Sequence, residues 1–359
     1  MDAQPEKPNN IAVILPCLNP SDGFDRVVDE LLDAGFCDIV IVDDGSGTEF
    51  RGHFDRAAED PRCHVLTHEE NRGKGAALKT AFAWLLENRP ECAGAVTVDG
   101  DGQHLTKDIL ACAAALSEDG GALVLGCRDF TGENVPPKSR VGNRVTRSVL
   151  RLLCGVKVSD TQTGLRAIPA AQFSRMLTIR GERYEYETNM LLELHRDKVP
   201  FREVPIETVY EDGNAATHFR PIADSLRIYR FILLYVFSSF AASMLDLLVF
   251  HFLMLLLTEP DHNTAVLIST YGARACSAFF NFNVNRALVF GGRNGYGKTL
   301  LRYAVLAVCQ AFVSAQLVAW LSGLASGEAG IVTTLIKFGV DTALFFLSFR
   351  VQQNWVFRR

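Results

Sequence analysis

The chain has 359 residues, a length for about two domains. Its 36 Lys and Arg against 41 Asp and Glu hide two unlike halves: residues 223–359 carry 11 and 6, a net of +5, which leaves 25 and 35, a net of −10, for residues 1–222. The acidic front half argues against a nucleic-acid binder, and the 48% hydrophobic content excludes disorder. The nine scattered cysteines, with no CxxC, read as reduced thiols of a cytosolic compartment, not a disulfide framework or a zinc site. The opening text MDAQPEKPNN has no apolar stretch, so no cleaved signal peptide is expected.

In the front half, short apolar runs at 11–16, 38–42, 93–98 and 122–126 alternate with amphipathic helical text such as 76–86. That alternation predicts an α/β fold with a mostly parallel sheet covered on both faces, whose ligands sit at the carboxyl ends of the strands. Two acidic turns fall there: Asp43-Asp44-Gly45-Ser46 after the second run and Asp99-Gly100-Asp101-Gly102-Gln103-His104 after the 93–98 run. A DxD after a strand suits a nucleoside diphosphate, because a carboxylate and the phosphates can share a hard divalent cation; ordinary turn chemistry is the alternative. Lys74, within Asn71-Arg72-Gly73-Lys74-Gly75, opens a helix that is not a P-loop, and faces either donor phosphates or solvent. From 137 to 154, Arg140, Arg144, Arg147 and Arg151 fall on one helical stripe beside Val141, Val145 and Val149. The stripe reads as a basic amphipathic helix at a membrane interface, or as a helix packed on the front domain with a solvated Arg face. Glu185 and Glu187 precede predicted helix 188–195, where first-turn charge alone would account for them.

The run PCLNP, VDDGS, NRGKGAAL, VDGDGQH, LGCR, DTQTGLRAI, YEYETNMLLEL and NAATHFRP, in this order over residues 11–222, resembles the family 2 glycosyltransferases of GT-A fold, in the branch of dolichyl- or polyprenyl-phosphate mannose synthases. The resemblance implies that Pro16 and Leu18 line the nucleotide, with Val42 among the donor-binding residues, and that Asp44 holds the base. It implies that Asp99, Gly100 and Asp101 meet the ribose and diphosphate, that Asp101 and Gln103 ligate Mg2+ or Mn2+, and that Lys74 joins the donor-binding set. Asp101, Arg128 near the sugar phosphates, Arg166 in the acceptor-side loop, and His218 with Arg220 as a phosphate clamp are its expected catalytic residues. Two departures stand out. Leu18 and Pro20 replace the aromatic and the acid of the usual P-x-Y-N-E, and the NAATHFRP segment replaces a GxSK ending. The implied reaction is metal-dependent, inverting transfer of a hexose from a GDP-mannose- or UDP-glucose-type donor to a polyprenyl phosphate. The alternatives are a processive polysaccharide synthase, disfavoured by the missing QxxRW, and a lipid-linked sugar flippase with a nucleotide-binding front domain.

In the back half, apolar stretches of about 231–257, 264–287, 303–323 and 330–350 are each long enough to span a ~30 Å hydrocarbon core. The loops at 258–263 and 322–330 are acidic, whereas the middle loop carries Arg286, Arg293, Lys298 and Arg302. The positive-inside rule then predicts a four-helix membrane domain over 223–359, with the front half and both ends in the cytoplasm. Segments 281–290 and 348–357 share Phe, Val, Val and Phe in register, which predicts two repeated helical hairpins. The RF start and NFxxNRxxVF end resemble the GtrA-like four-helix family, whose members are associated with polyprenyl-linked sugars. Asp246, Arg274 and Asp341 fall at one depth near the midplane, so Arg274 is expected to face the bundle interior and pair with one or both aspartates. Oligomeric state is not legible.

Overall fold

The computed structural model describes residues 10–21, 23–100, 102–119, 121–130, 137–207, 221–257, 262–290, 295–324 and 331–358. The chain divides into two compact units, Met1–Ile228 and Tyr229–Arg359.

The first unit is built on seven strands: β1 (Ile11–Cys17), β2 (Ile39–Asp43), β3 (Cys63–Thr67), β4 (Gly94–Thr97), β5 (Leu123–Arg128), β6 (Arg166–Pro169) and β7 (Phe201–Ile206). Their order is β3-β2-β1-β4-β6-β5-β7. Pairing is parallel except at β6, which runs antiparallel to both β4 and β5. The apolar runs of β1, β2 and β4 are buried throughout apart from Pro16, as strands covered on both faces must be. Three strands fall outside the four apolar runs read from the sequence. β3 mixes His64 and Thr67 into its text, β6 has four residues headed by an arginine, and β7 is an edge strand with Arg202 half-buried and Glu203 exposed.

Helices close both faces. Val13, Leu15 and Ile41 meet α1 (Gly23–Asp33), α2 (Arg51–Ala57) and α4 (Thr106–Asp119) through Phe24, Leu31, Phe54 and Ile109. Ile14, Val40 and Val42 meet α3 (Lys74–Asn88), α6 (Phe173–Thr178) and α7 (Glu185–Arg196) through Leu78, Phe82, Phe173 and Tyr186. Alternate residues of one strand thus feed two cores, which is the period-2 geometry of a strand.

α5 (Pro137–Val149) continues into a π-helical turn, Leu150–Cys154. It docks through Asn143, Thr146 and Leu150, all buried. The Asn143 side chain donates to Ser159 O (2.9 Å) and accepts from Thr161 N–H and Oγ1 (both 3.2 Å). Arg140, Arg144, Arg147 and Arg151 are exposed, and Val141 and Val145 beside them are 60% and 50% exposed. Val141 and Val145 therefore do not pack on this unit; the polar Asn143 face does.

The second unit consists of α8 (Pro221–Leu256, which begins before the division), α9 (His262–Val284), α10 (Tyr296–Leu324) and α11 (Ile331–Val351). Among the described residues, Leu233–Leu256 and Tyr296–Gly323 are long and apolar enough to cross a membrane. α9 and α11 end in π-turns, Asn285–Val289 and Gln352–Val356, closed by Phe290 N–H to Asn285 O (2.9 Å) and Phe357 N–H to Gln352 O (2.8 Å). The two segments that match in sequence thus share a conformation. They also meet: Phe290 stacks on Phe357 at 4.8 Å, and the fully buried Asn285 donates to Gln352 Oε1 at 3.2 Å. Ser238 donates to Asn285 Oδ1 (2.6 Å), and Gln352 donates to Tyr235 OH and Ser348 Oγ (both 3.1 Å).

Charged groups of these helices divide differently from expectation. Arg274 lies 3.6 Å from Asp246, as paired, but its side chain is 75% exposed on the outside of the unit and not in its interior. Asp341 takes Lys337 (2.8 Å), one turn away, and Ser314 Oγ (2.6 Å).

Candidate functional site

The carboxyl ends of β1, β2 and β4 come together through the parallel register, which sets Cys17 beside Asp43 and Ile14 beside Thr97. Three loops emerge there. Asn19 ties two of them: its N–H donates to Ser46 Oγ (2.9 Å) and its Oδ1 accepts from Gly47 N–H (3.1 Å). Asp43 Oδ1 accepts from Ser46 N–H at 2.8 Å, a local side-chain-to-backbone bond of the kind turns use. Pro16 and Leu18 are half-buried at this rim, and Gly100 lies against Cys17. Val42, expected in the donor-binding set, is fully buried in the core and has no surface for a ligand.

Asp44 is buried and its carboxylate is engaged within the protein. Oδ1 accepts from Arg72 N–H (3.0 Å) and lies 2.7 Å from His68 Nδ1, while Oδ2 accepts from Gly73 N–H (2.7 Å). The Nε2 atom of His68 is 2.9 Å from Thr80 Oγ1. Asp44 therefore fastens the loop before α3 to the end of β2. The partner His68, which sits just past β3, carries no motif that would have revealed it.

Lys74 is engaged within the protein and is 16% exposed. Its Nζ lies 2.6 Å from Asp99 Oδ1 and 2.9 Å from Glu187 Oε1. The sequence around it makes this possible. A Cβ on Gly73 would stand 2.5 Å from Glu182 O, and one on Gly75 would stand 2.5 Å from the Tyr186 Cβ. Only glycines let the first turn of α3 press against the start of α7 and carry Lys74 between two carboxylates. α7 begins at Glu185, so both glutamates lie in its first turn. Glu185 accepts from Glu182 and Arg183 N–H as a cap, and Glu187 turns inward.

Asp99 is held from three sides. Lys74 takes Oδ1, His104 Nε2 lies 3.5 Å from Oδ2, and Gly164 is so close that a Cβ there would lie 2.3 Å from Oδ2. Burial opposes the charge of Asp99, yet Lys74 and His104 overcome it and keep its carboxyl well below the usual range. Burial likewise opposes the charge of Lys74, and Asp99 with Glu187 reverses that, raising its pKa.

Arg128, expected near sugar phosphates, makes a two-point pair with the fully buried Asp160, Nε to Oδ2 at 2.7 Å and Nη2 to Oδ1 at 3.1 Å. Arg166, expected in an acceptor-side loop, is engaged within the protein. It is 1% exposed at the start of β6 and donates to Thr163 O (3.0 Å) and Glu187 O (2.6 Å). Burial lowers its pKa from the ordinary guanidinium value. It props the Thr163–Gly164 turn and α7 around Asp99. Gln103 is half-buried after the Gly102 turn. Asp101, His218 and Arg220 lie outside the described residues.

Among the described residues no group of three or more His, Cys, Asp or Glu side chains is arranged to hold a metal ion. The Asp99 oxygens already face Lys74 and His104, so a cation here would rely on the neighbouring turn. In sequence, Asp101 and Gln103 follow with a carboxylate and an amide, whose oxygens are the chemistry that Mg2+ and Mn2+ prefer. Chemically, the described arrangement is a strand-end cluster with an ionised carboxylate and a fixed ammonium, suited to orienting a phosphate-bearing ligand.

Residues 12–176 match the family described as Glycosyl transferase family 2. The chain is 28% identical to a UDP-N-acetylglucosamine–dolichyl-phosphate N-acetylglucosaminyltransferase of Methanococcus voltae, over 62% of this chain and 95% of that protein. It is also 28% identical to an undecaprenyl-phosphate mannosyltransferase of Micrococcus luteus, over 55% of this chain and 83% of that one. Among solved structures, glucosyl-3-phosphoglycerate synthase from Mycobacterium tuberculosis, in complex with Mn2+, UDP and glucosyl-3-phosphoglycerate, superimposes with a TM-score of 0.47 at 17% identity, covering 63% of this chain and 78% of that one.

Proposed function

We propose, from the premise that this protein is a glycosyltransferase with a family 2 domain at residues 12–176, that it moves a hexose from a nucleotide-sugar to a polyprenyl phosphate at the cytoplasmic face of a membrane. The observation that carries the reading is the Lys74–Asp99 cluster at the carboxyl ends of parallel strands, where ligands of such sheets bind. The GT-A-like sheet and the relatives named for dolichyl- and undecaprenyl-phosphate transfer support it. Two helices long and apolar enough to span a bilayer support a membrane location, and the lipid acceptor fits that location.

The acceptor phosphate is already an anion and needs alignment with the anomeric carbon more than a general base. Direct displacement of the diphosphate would invert that carbon. Asp101 and Gln103 would hold a divalent cation, which when bound supplies charge stabilisation to the departing diphosphate. Asp99, fixed and ionised, orients the donor beside them. The exposed Arg144 and Arg147, with Val141 and Val145, form a face suited to anionic lipid headgroups. The helical unit serves in this reading as a GtrA-like membrane anchor of four spans. His218 and Arg220 remain the proposed phosphate clamp.

The decisive experiment is a radiolabelled transfer assay on the full chain, with GDP-mannose or UDP-glucose, polyprenyl phosphate and Mg2+ or Mn2+. A single-sugar lipid product is expected. A growing polymer, or no lipid product with any donor, would overturn the reading.

A further inference from the structure

Glu187 stands more than 80 residues from either DxD carboxylate and belongs to no strand-end loop. Yet it is 9% exposed in the first turn of α7, and its carboxylate points at the Lys74 ammonium that itself contacts Asp99. Its backbone carbonyl accepts from the buried Arg166, so the helix turn carrying it is pinned from the β6 side as well. The three charged side chains come from three separate elements, α3, the loop after β4, and α7. Their exposure falls from 31% for Asp99 through 16% for Lys74 to 11% for Glu187. The order matters. Asp99 is the member a ligand can reach, Lys74 is its support, and Glu187 supports the support from inside. A lysine with four rotatable bonds and a single carboxylate partner would have other staggered positions open to it. A second, better-buried carboxylate removes them.

We propose that Glu187 is a positioning residue of the donor site, acting through Lys74 to keep Asp99 in one orientation for the nucleotide diphosphate. The inference rests on the donor-site reading given above, and its test separates the two.

The first arm needs no donor. The full chain in detergent micelles is treated with an amine-acylating reagent at pH 8.5, and acylation of individual lysines is followed by mass spectrometry. Lys74 should react at least about tenfold more slowly than the exposed Lys157. In Glu187→Gln, Lys74 should react at least about fivefold faster while Lys157 is unchanged. An unaltered Lys74 rate would overturn the proposal. Equal acceleration at both lysines would show general loosening and would overturn it too.

The second arm titrates UDP or GDP with Mn2+. Glu187→Gln should weaken nucleotide binding about fivefold or more in the otherwise natural chain, and by less than twofold in Lys74→Met. Equal losses in both backgrounds would mean that Glu187 acts on its own, against the proposal. If neither nucleotide binds the natural chain, the donor-site reading fails, and the proposal's link to donor binding falls with it; the acylation arm still decides whether Glu187 holds Lys74. Glu187→Asp, which keeps the charge but is one methylene shorter, should fall between the natural chain and Glu187→Gln in both arms.

Discussion

In the first unit the interactions around the strand-end cluster include buried or half-buried charges: Asp160 under Arg128, Lys74 between Asp99 and Glu187, Arg166 against two carbonyls. In the helical unit the buried polar centre is neutral, with Ser238, Asn285, Gln352, Tyr235 and Ser348 exchanging hydrogen bonds, while Arg274 and Lys337 sit at its outside. Both arrangements satisfy their groups, but they differ in what a loss would do. An ion stripped of its partner inside a protein costs several kcal/mol, whereas an amide or hydroxyl left unpaired costs about 1–3 kcal/mol. In the first unit charge pairs fix the loops around Asp99; neutral groups suffice where α9 and α11 face each other.

The sharpest test of that contrast is Asp101→Asn. If a cation at Asp101 stabilises the leaving diphosphate, transfer should fall at least about 100-fold, in line with the several kcal/mol such a cation supplies, with no change in melting temperature. Retention of more than a tenth of the activity would remove the metal from the proposed reaction. Next come paired truncations, one per unit. Asp160→Ala should destabilise the first unit by about 3 kcal/mol, because Arg128 loses its two-point pair with Asp160. Asn285→Ala should cost the helical unit about 1–2 kcal/mol. Pulse proteolysis in urea, reading the fragments of each unit separately, would rank them, and a larger loss from Asn285→Ala would invert the comparison.

Replacing Arg144 and Arg147 together by Gln should raise the KM for the lipid acceptor by up to about 30-fold, since each basic residue near an anionic surface contributes about 1 kcal/mol. The KM for the nucleotide-sugar should stay within about twofold, and equal shifts in both would assign the stripe to solvent. The smallest effect is alkaline. Burial raises Cys112 and Cys127 to about 12 and Cys63 to about 11. In the unfolded chain these thiols lose protons near their ordinary value, so above about pH 9 the unfolded state binds fewer protons and stability declines as pH rises. The melting temperature of the first unit should drop between pH 8 and 10, and Cys112→Ala with Cys127→Ala should flatten that slope.

The strands buried on both faces were legible because uninterrupted apolar text has few other uses; β1, β2, β4 and β5 all lie where such runs stand. β6 was not, since four residues opening with an arginine carry no periodicity, and its antiparallel direction depends on how the 155–165 loop returns. At the site, glycine-flanked motifs singled out Lys74 and Asp99, but not the contact of Lys74 with Asp99 and Glu187. Glu187 was visible only as helix-start charge, because nothing local tells an inward first-turn glutamate from an outward one. Arg128 and Arg166 were assigned to ligands by resemblance; their contacts with Asp160 and with the carbonyls of Thr163 and Glu187 are set by tertiary packing that spacing does not encode.

The paired π-turns of α9 and α11 limit how small the helical unit can be. Asn285 comes from one hairpin and Gln352 from the other, and Phe290 meets Phe357 across the same junction. A lone hairpin would therefore present half of a closure: one buried amide with no counterpart and one aromatic face without a lid. Divided between two polypeptides, the halves should seek each other out and reassemble, so co-expressed fragments 1–291 and 292–359 are a natural split-protein pair.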